Sequence, residues 1–524
     1  MHPSPRPPLS LRWAVTAAAI GGLFNAGGFP ALGWWPLIFV GTAVILWSLR
    51  GRSIGGSLLV GLVAGFAFFG SHIFWLTVYL GPIPWLALAG LQSIFFALGA
   101  MLMSLAWRFV PLVWAGRTGR LIGMPIVLSA LWMLRESIAS VWPYGGFSWG
   151  RLAFSQSDSP FTPLVAWVGV SGLSFLLAWL SALLLQLLLE VNLNWGTRGL
   201  VAAVSVFLLA GLPAWPVVSS ASMRVAAVQG NADAGLFAQH PPGTTLDDHL
   251  QATVPLFGAK VDVVVWPENA SDVDPLRNPQ SAQTLDFVTK QMDAPLVTGT
   301  ITKDSEGRTF NSLLLWESGR GTVQQYDKIH PVPFAEYLPD RSFWYPFAPD
   351  LLDMVPRDYS FGQRSNVLDI EGIKAGVAIC FDIVDDSLLH RMVDGGAQLI
   401  LAPTNNADFG HSDESRQQVA IARLRGVETG RSVVNISTVG MSAIFAPDGR
   451  TIAALPDYKA GAMVDSVPLS STITPAMAFG RQIEWLIGGF GLACLGLGLM
   501  LRSRLHGGTH GGAHDGTHGG AGRG

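Results

Sequence analysis

The hydrophobic pattern divides the chain into two kinds of segment. Apolar runs follow one another near 13–30, 34–49, 55–80, 83–107, 119–139, 161–189 and 197–215, and one more lies near 485–501. Each is close to the ~20 residues that carry a helix across a bilayer, so the pattern predicts eight transmembrane helices. The first run has the flanks of a signal peptide, but further spans follow at once, which favours an uncleaved helix. From Met223 the pattern changes to short β-branched runs with polar ends. RVAAVQGN (224–231), VDVVVWPENA (261–270), APLVTGTI (294–301), NSLLLWES (311–318) and AQLILAPTNNADFG (397–410) read as strands. GTVQQYDKIHPVPFAEYLP (321–339) reads as a strand and a loop, and SVVNISTVGMSAIFAPDGR (432–450) as two strands and a turn. In RQQVAIARLRGVETGR (416–431), Val419, Ile421, Leu424 and Val427 recur at helical spacing. Strands alternating with helices predict an α/β domain, with reactive residues along one rim of a sheet.

Composition agrees with membrane spans: 50% of residues are hydrophobic and only 13% charged. A net charge of −3 excludes the basic footprint of a nucleic-acid-binding protein. Tryptophans near the ends of apolar runs suit interfacial anchoring. Arg6 and Arg12, Arg50 and Arg52, Arg108, Arg117 and Arg120, Arg198, and Arg502 and Arg504 all fall on one set of alternate loops. The other set carries only Arg151. By the positive-inside rule both termini are cytoplasmic and the domain between helices seven and eight is extracytoplasmic. The expected layout is a cytoplasmic tail (1–12), helices one to seven (13–216), an extracytoplasmic α/β domain (222–468), helix eight (484–503) and a cytoplasmic tail (504–524). In that tail His506, His510, His514 and His518 recur every four residues. Its composition is that of a disordered segment, with metal binding the competing reading. Arg135 and Glu136, at the outer end of helix five, either face protein or water or form an interfacial pair. WPYGGFSWGRLAFSQ (142–156) either shapes a lipid entrance or is an aromatic belt.

Three strand ends each offer one reactive group: Glu268 in WPENA, Lys328 in YDKIHPVPFAEYLP and Cys380 in GIKAGVAICFD. The chain has two cysteines, and Cys494 lies inside the last apolar run, where packing accounts for it. Singly, each of the three reads as structural: a small buried thiol, a turn carboxylate, a solvated lysine. Together they supply what acyl transfer through a thioester needs. A thiol is mostly protonated near neutral pH and requires a base. Glu268 can take that proton and return it to a leaving group. Lys328 can stabilise the thiolate and the oxyanion of a tetrahedral intermediate.

These three motifs resemble those of the nitrilase superfamily, which implies an α-β-β-α sandwich over about 222–465. With the apolar runs around it, the chain is similar to the apolipoprotein N-acyltransferase family. WPYGGFSWGRLAFSQ, GVSGLSF (169–175), VQGN (228–231), VPFAEYLP (332–339) and ARLRGVETGR (422–431) carry that resemblance. The implied fold is a polytopic α-helical membrane bundle of eight transmembrane helices plus an extramembrane nitrilase-like α/β domain. The resemblance implies Glu268 as base, Lys328 as oxyanion-stabilising lysine and Cys380 as the acylated nucleophile, without cofactor or metal. Glu336 matches a supporting glutamate that holds Lys328 or tunes Glu268. Phe381 and Asp382, neighbours of the substrate site, stand where Tyr and Glu are common, and NISTVGMSA (435–443) departs from the family's usual run. The implied partners are a membrane phospholipid as acyl donor, a diacylglyceryl-modified apolipoprotein as acceptor, and the bilayer of a bacterial plasma membrane. Two rival readings remain: a membrane-tethered amidase or nitrile hydrolase for a small substrate, and a catalytically idle lipid-binding or assembly module. The segments 233–260 and 340–362, the second with Phe343, Trp344, Tyr345 and Phe347, read as lids or as interfacial anchors.

Overall fold

The computed structural model describes residues 8–233, 241–355 and 358–507. Every apolar run forms a helix. Before the α/β domain come α1 (Leu11–Gly27), α2 (Leu37–Ser48), α3 (Ile54–His72), α4 (Pro82–Val113), α5 (Met124–Ala139), α6 (Val165–Leu189) and α7 (Trp195–Ala210). Among the described residues five stretches are long and apolar enough to cross a membrane: Ile54–His72, Pro82–Val113, Gly116–Ala139, Thr162–Leu189 and Pro475–Arg504. The sequence predicts eight. The other three helices are in place but shorter, at 17, 12 and 16 residues. At 1.5 Å per residue, α2 is only about 18 Å long.

Small residues set how closely the helices approach. A Cβ on Gly65 of α3 would sit 2.7 Å from the Phe96 Cβ and 2.9 Å from the Ser93 Cα of α4. Close backbone approach of this kind is how apolar helices gain van der Waals contact where burial from water offers nothing. Arg135 and Glu136 are both buried inside the protein. The Arg135 guanidinium lies over the rings of Phe96 and Trp132, and Glu136 Oε1 accepts from Trp132 Nε1 at 2.8 Å. The pair therefore faces protein and is not an interfacial surface pair. Cys494 is half-buried against the helix core.

The α/β domain contains β1 (Ala221–Gln229), α8 (Thr244–Thr253), β2 (Val263–Val265), α9 (Pro279–Met292), β3 (Leu296–Lys303), β4 (Thr309–Glu317), β5 (Gly321–Asp327), β6 (Val367–Ile370), β7 (Ile373–Val377), α10 (Asp386–Asp394), β8 (Leu399–Thr404), α11 (Glu414–Thr429), β9 (Ser432–Ser437), β10 (Ala443–Phe445), β11 (Thr451–Ala454) and β12 (Gly461–Leu469). The last helix, α12 (Pro475–Gly507), follows. The strands form two six-stranded sheets, ordered β12-β1-β2-β3-β4-β5 and β11-β10-β9-β8-β7-β6. Alternation along each strand makes the layers. Val225, Val263, Val265, Leu313 and Leu315 turn toward Val377, Leu399 and Leu401 of the other sheet. Val228, Val264, Leu314 and Trp316 turn the other way, onto Leu246, Leu285, Val288 and Met292 of α8 and α9. The result is an α-β-β-α sandwich.

Strand direction then decides where chemistry can gather. β1, β2 and β3 are parallel, and β5 regains their direction through the antiparallel β4. β7, β8 and β9 are parallel in the second sheet. The residues after β2, β5 and β7 are Glu268, Lys328 and Cys380, each just past its strand's C-terminal end.

The domain is tied to the helices by buried charge. Asp386, at the start of α10, pairs with Arg151 at 2.7 Å and with Arg425 of α11 at 2.6 Å. Arg425 pairs in turn with Glu428, which accepts the Val170 N–H at 2.9 Å. That N–H is exposed because Gly169, at φ +71°, breaks the first turn of α6. In the segment 340–362, Arg341–Trp344 and Pro349–Leu352 are short helical turns, and the exposed Phe343 and Phe347 stand out from them. Residues 234–240 and 356–357 of the two lid candidates lie outside the described residues, as do His510, His514 and His518.

Gly65→Leu should therefore force α3 and α4 apart. Its expected cost is about 1–3 kcal/mol, the usual range for overpacking, read as a lowered melting temperature in detergent. Gly90→Ala on α4, where nothing lies within 4 Å of the added carbon, should leave the melting temperature unchanged.

Candidate active site

Cys380 sits on a strained turn. β7 ends at Val377, the Ala378 N–H still donates to Leu401 O of β8 at 2.9 Å, and a tight turn Cys380–Val384 follows. Cys380 takes φ +51°, a left-handed conformation that costs a non-glycine residue of order 1–3 kcal/mol and persists only where the surroundings impose it. Asp382 imposes it here. Its Oδ2 accepts the Ile379 N–H at 3.1 Å and the Tyr326 hydroxyl at 2.9 Å. The Tyr326 oxygen also accepts the Ile329 N–H at 3.3 Å. One tyrosine thus joins the cysteine turn to the segment that carries Lys328.

Glu268 follows β2 on a turn whose next residue, Asn269, has φ +54°. The turn presses on β3 so closely that a Cβ on Gly299 would lie 2.6 Å from the Glu268 Cα. Asn311, at the start of β4, donates from one Nδ2 to Glu268 Oε1 at 2.6 Å and to Glu336 Oε1 at 2.8 Å. The other oxygen of Glu336 meets Lys328 Nζ at 2.9 Å and the Val332 N–H at 2.6 Å. Lys328 is 1% exposed and Glu268 5%.

Burial sets the protonation states. Desolvation raises the Glu268 carboxyl to about 7; the Lys328 charge and the Asn311 donor oppose that shift and Glu336 adds to it. Burial alone would lower the Lys328 ammonium, but Glu336, Glu268, Cys380 and Asp382 together hold it well above its usual value. Burial pushes the Cys380 thiol up; Glu268 and Glu414 add to that, while Lys328 and the Thr404 hydroxyl pull it down. Burial also raises Asp382 to about 7, against Lys328 and Tyr326. A thiol held protonated beside a carboxylate that ionises near neutrality, with a fixed cation adjacent, can pass its proton to that carboxylate as it attacks an acyl carbon.

The structure brings Glu268, Lys328, Cys380 and Glu336 into one buried site. Asp382 is turned inward as a brace, and Phe381 is turned toward the membrane helices. The Phe381 ring stacks on Trp149 at 6.0 Å and on Phe147 at 6.1 Å, so the 142–156 loop lies against the residue after the cysteine. Gln417 of α11 fixes this layer, accepting from Trp149 Nε1 at 2.6 Å and from Trp75 Nε1 at 3.0 Å. Nearby, an open groove of about 530 Å³ runs along Phe66, Gly70, Phe74 and Trp85 to Asp413. Sequence reasoning misses Asn311, Tyr326 and Glu414. Asn311 begins NSLLLWES and reads only as a strand edge, and Tyr326 as a strand apolar. Glu414 lies just before the apolar spacing that reveals its helix.

Residues 21–183 match the family described as the apolipoprotein N-acyltransferase N-terminal domain, and residues 224–474 match the carbon-nitrogen hydrolase family. The apolipoprotein N-acyltransferase of Mycolicibacterium smegmatis is 31% identical over 540 residues, covering 95% of this chain and 86% of that protein. The protein of that name from Photobacterium profundum is 26% identical, with 94% of this chain and 95% of that protein covered. Among solved structures, a CN-hydrolase superfamily protein from Xanthomonas campestris matches 50% of this chain and 94% of its own length, at 17% identity and a TM-score of 0.37.

Tyr326→Phe removes the hydroxyl shared by Asp382 and the Ile329 N–H and leaves both buried without it. The expected loss is about 1–3 kcal/mol, the range for orphaned buried polar groups, measured as a lowered melting temperature.

Proposed function

The chain belongs to the apolipoprotein N-acyltransferase family, and on that premise we propose that it acylates the N-terminal diacylglyceryl-cysteine of apolipoproteins with a chain taken from a membrane phospholipid. The enzyme is an acyltransferase with a carbon-nitrogen hydrolase domain and apolar helices. One observation carries the mechanistic reading: carboxylate, cation and strained thiol share a buried site that is bonded to the membrane helices through Asp386 and Gln417.

The reaction runs in two steps. In the first, Cys380 Sγ attacks the ester carbonyl of the phospholipid while Glu268 takes the thiol proton. Lys328 stabilises the oxyanion. The intermediate collapses, the C–O bond breaks, and the departing lysophospholipid alkoxide receives the proton from Glu268. In the second, the acceptor's α-amine attacks the thioester, and Glu268 carries a proton from its nitrogen to the departing sulfur. Glu336 and Asn311 hold Lys328 and Glu268 in register. Long acyl chains need an apolar path continuous with the bilayer, which the apolar helices around the domain can supply. The number of helices counts against a small-amide hydrolase, for which a single anchor is enough.

The arginine pattern supports eight spans in a bacterial plasma membrane, with both termini cytoplasmic and the catalytic domain extracytoplasmic. α7 reaches span length with its apolar flank Gly211–Trp215, whereas α2 stays short of it even with Trp34–Pro36.

Purified enzyme mixed with phospholipid should gain a hydroxylamine-sensitive mass of one acyl group, and Cys380→Ala should not. Added diacylglyceryl peptide should discharge the adduct as an N-acyl peptide; discharge only to free fatty acid would overturn the transferase reading.

The pH profile follows from the Glu268 carboxyl, which must be ionised to act. Acyl-enzyme formation should rise about tenfold per pH unit in acid and level off above about 7. Asn311→Leu removes a donor that favours the carboxylate, so the carboxyl rises and the acid limb moves to higher pH. Its rate should fall more at about pH 6 than at about pH 8.5.

A further inference from the structure

The mechanism above leaves one proton without an acceptor. At neutral pH an α-amine arrives mostly as ammonium, since its ordinary pKa is about 8. It must lose one proton before its lone pair can attack and a second as the amide forms. Glu268 serves the second transfer, because that proton ends on the cysteine sulfur. A different group has to take the first.

Glu414, the first residue of α11, meets the requirements. It is 2% exposed, and among the described residues its Oε2 has no hydrogen-bond partner. Such a buried orphan is costly unless something fills its place in use. The next residue, Ser415, and Asn406 would both lie within 4 Å of a Cβ on Gly440, and Asn406 Oδ1 accepts from Thr404 at 2.9 Å at the C-terminal end of β8, the strand beside β7; Glu414 also acts electrostatically on Cys380 and Glu268. Two other buried polar atoms nearby are also unpartnered, Ser415 Oγ on its own helix and Asn406 Nδ2 beside Thr404. Asp413, the residue before it, lines an open groove together with Phe66, Gly70, Ser71, Phe74 and Trp85.

We propose that Glu414 accepts the first proton of the acceptor's α-ammonium, freeing the amine that attacks the thioester on Cys380; this rests on the acyl-transfer reading above. The ammonium gives one proton to the Glu414 carboxylate. The nitrogen lone pair forms the C–N bond, the C–S bond breaks, and the second nitrogen proton travels through Glu268 to the departing sulfur. The products are an amide, the Cys380 thiol and a neutral Glu414, which later returns its proton to solvent. The titratable groups facing Glu414 are Glu268 and Cys380, with Asp413 its neighbour in the chain and Lys328 on the far side of Glu268. Burial, then the Glu268 charge, raises the Glu414 carboxyl to about 8. That value matches the amine's own, so the transfer is close to balanced, and an arriving cation favours the ionised carboxylate.

The test separates the two steps in Glu414→Gln, which keeps shape and neutral hydrogen bonding. Acyl-enzyme is formed from phospholipid, lipid is removed, and discharge is followed with a diacylglyceryl peptide and, separately, with hydroxylamine, which is neutral at pH 7. Because the Glu414 charge also acts on Glu268 and Cys380, hydroxylamine discharge of the same variant is the reference against which its peptide discharge is read. Peptide discharge should fall about a hundredfold at pH 7, the usual scale of a lost general base, and recover as pH rises and free amine accumulates. Unchanged peptide discharge would overturn the proposal, as would an equal loss of peptide and hydroxylamine discharge. Should the variant fail to fold, the wild-type profile decides. A second acceptor whose α-amine has a lower pKa is then compared: an inflection that stays near 8 belongs to the enzyme and supports Glu414, and one that moves with the amine counts against it. If wild type forms no thioester at all, the acyl-transfer reading itself falls, and this inference with it.

Discussion

Lys328 is one cation facing three carboxyl groups, with a fourth, Glu414, acting on one of them, in a space that water barely enters. Glu336 lies 2.9 Å from its Nζ, and Glu268 and Asp382 act on it electrostatically. Glu414 lies one group further out, beside Glu268. A single ammonium cannot keep four buried carboxylates ionised, because each unpaired charge carries a desolvation cost that no partner offsets. The acids share the shortfall by holding protons. Glu336 takes the direct contact, and Glu268, Asp382 and Glu414 are raised to about 7, 7 and 8. The surplus of acid over base therefore turns the site into a store of protons that move near neutral pH, which is the condition general acid–base chemistry needs.

The same economy of charge joins the domain to the membrane helices. Asp386 is drawn well below the usual carboxylate range: burial opposes this, but Arg151 and Arg425 outweigh it. Removing one arginine leaves Asp386 a single partner, and removing both would leave a half-buried carboxylate unpaired, which costs more than the intact pairs contribute. The bridge also has a direction. It runs from the 142–156 loop through the start of α10 and along α11 to the broken turn of α6. Five residues separate Asp386 from Cys380, and Glu414 begins α11. The stacked rings of Phe147, Trp149 and Phe381 fill the space beside this bridge.

Much of this was legible in the sequence, for physical reasons that differ by element. β2 and β8 announce themselves because buried parallel strands are apolar throughout, and the polar residues that follow are then conspicuous; β5, GTVQQYD, is half-buried and antiparallel to β4, and the motif after it carries the reading. The apolar runs announced all eight helices, but hydropathy does not report where a helix stops: α2 is cut to 12 residues between the Trp34–Pro36 turn and Leu49. β12 escaped because GAMVDSVPL lacks a continuous apolar run, and only its nine-residue pairing with β1 makes it a strand. Asn311 and Tyr326 escaped because their partners lie 25 to 56 residues away in the chain. Glu414 looks in sequence like any acid that suits the positive end of a helix; only burial and its orphaned oxygen distinguish it. Arg135 and Glu136 were readable as an anomaly, and the structure resolves it by enclosing them in aromatic rings.

A thioester in such a site faces two nucleophiles, an amine and water, and excluding water by shape alone is a weak filter against so small a competitor. The protonation pattern adds a chemical one. Glu414 is raised to about 8, so it is mostly protonated at neutral pH, and a protonated carboxyl cannot activate water. A water molecule brings no charge and leaves that state undisturbed. An acceptor's ammonium brings the opposite charge, favours the carboxylate, and thereby creates the base that deprotonates it. In the proposed scheme the acceptor switches on its own activation and water does not, so the raised carboxyl that makes the enzyme slow to ionise also makes it selective for transfer over hydrolysis.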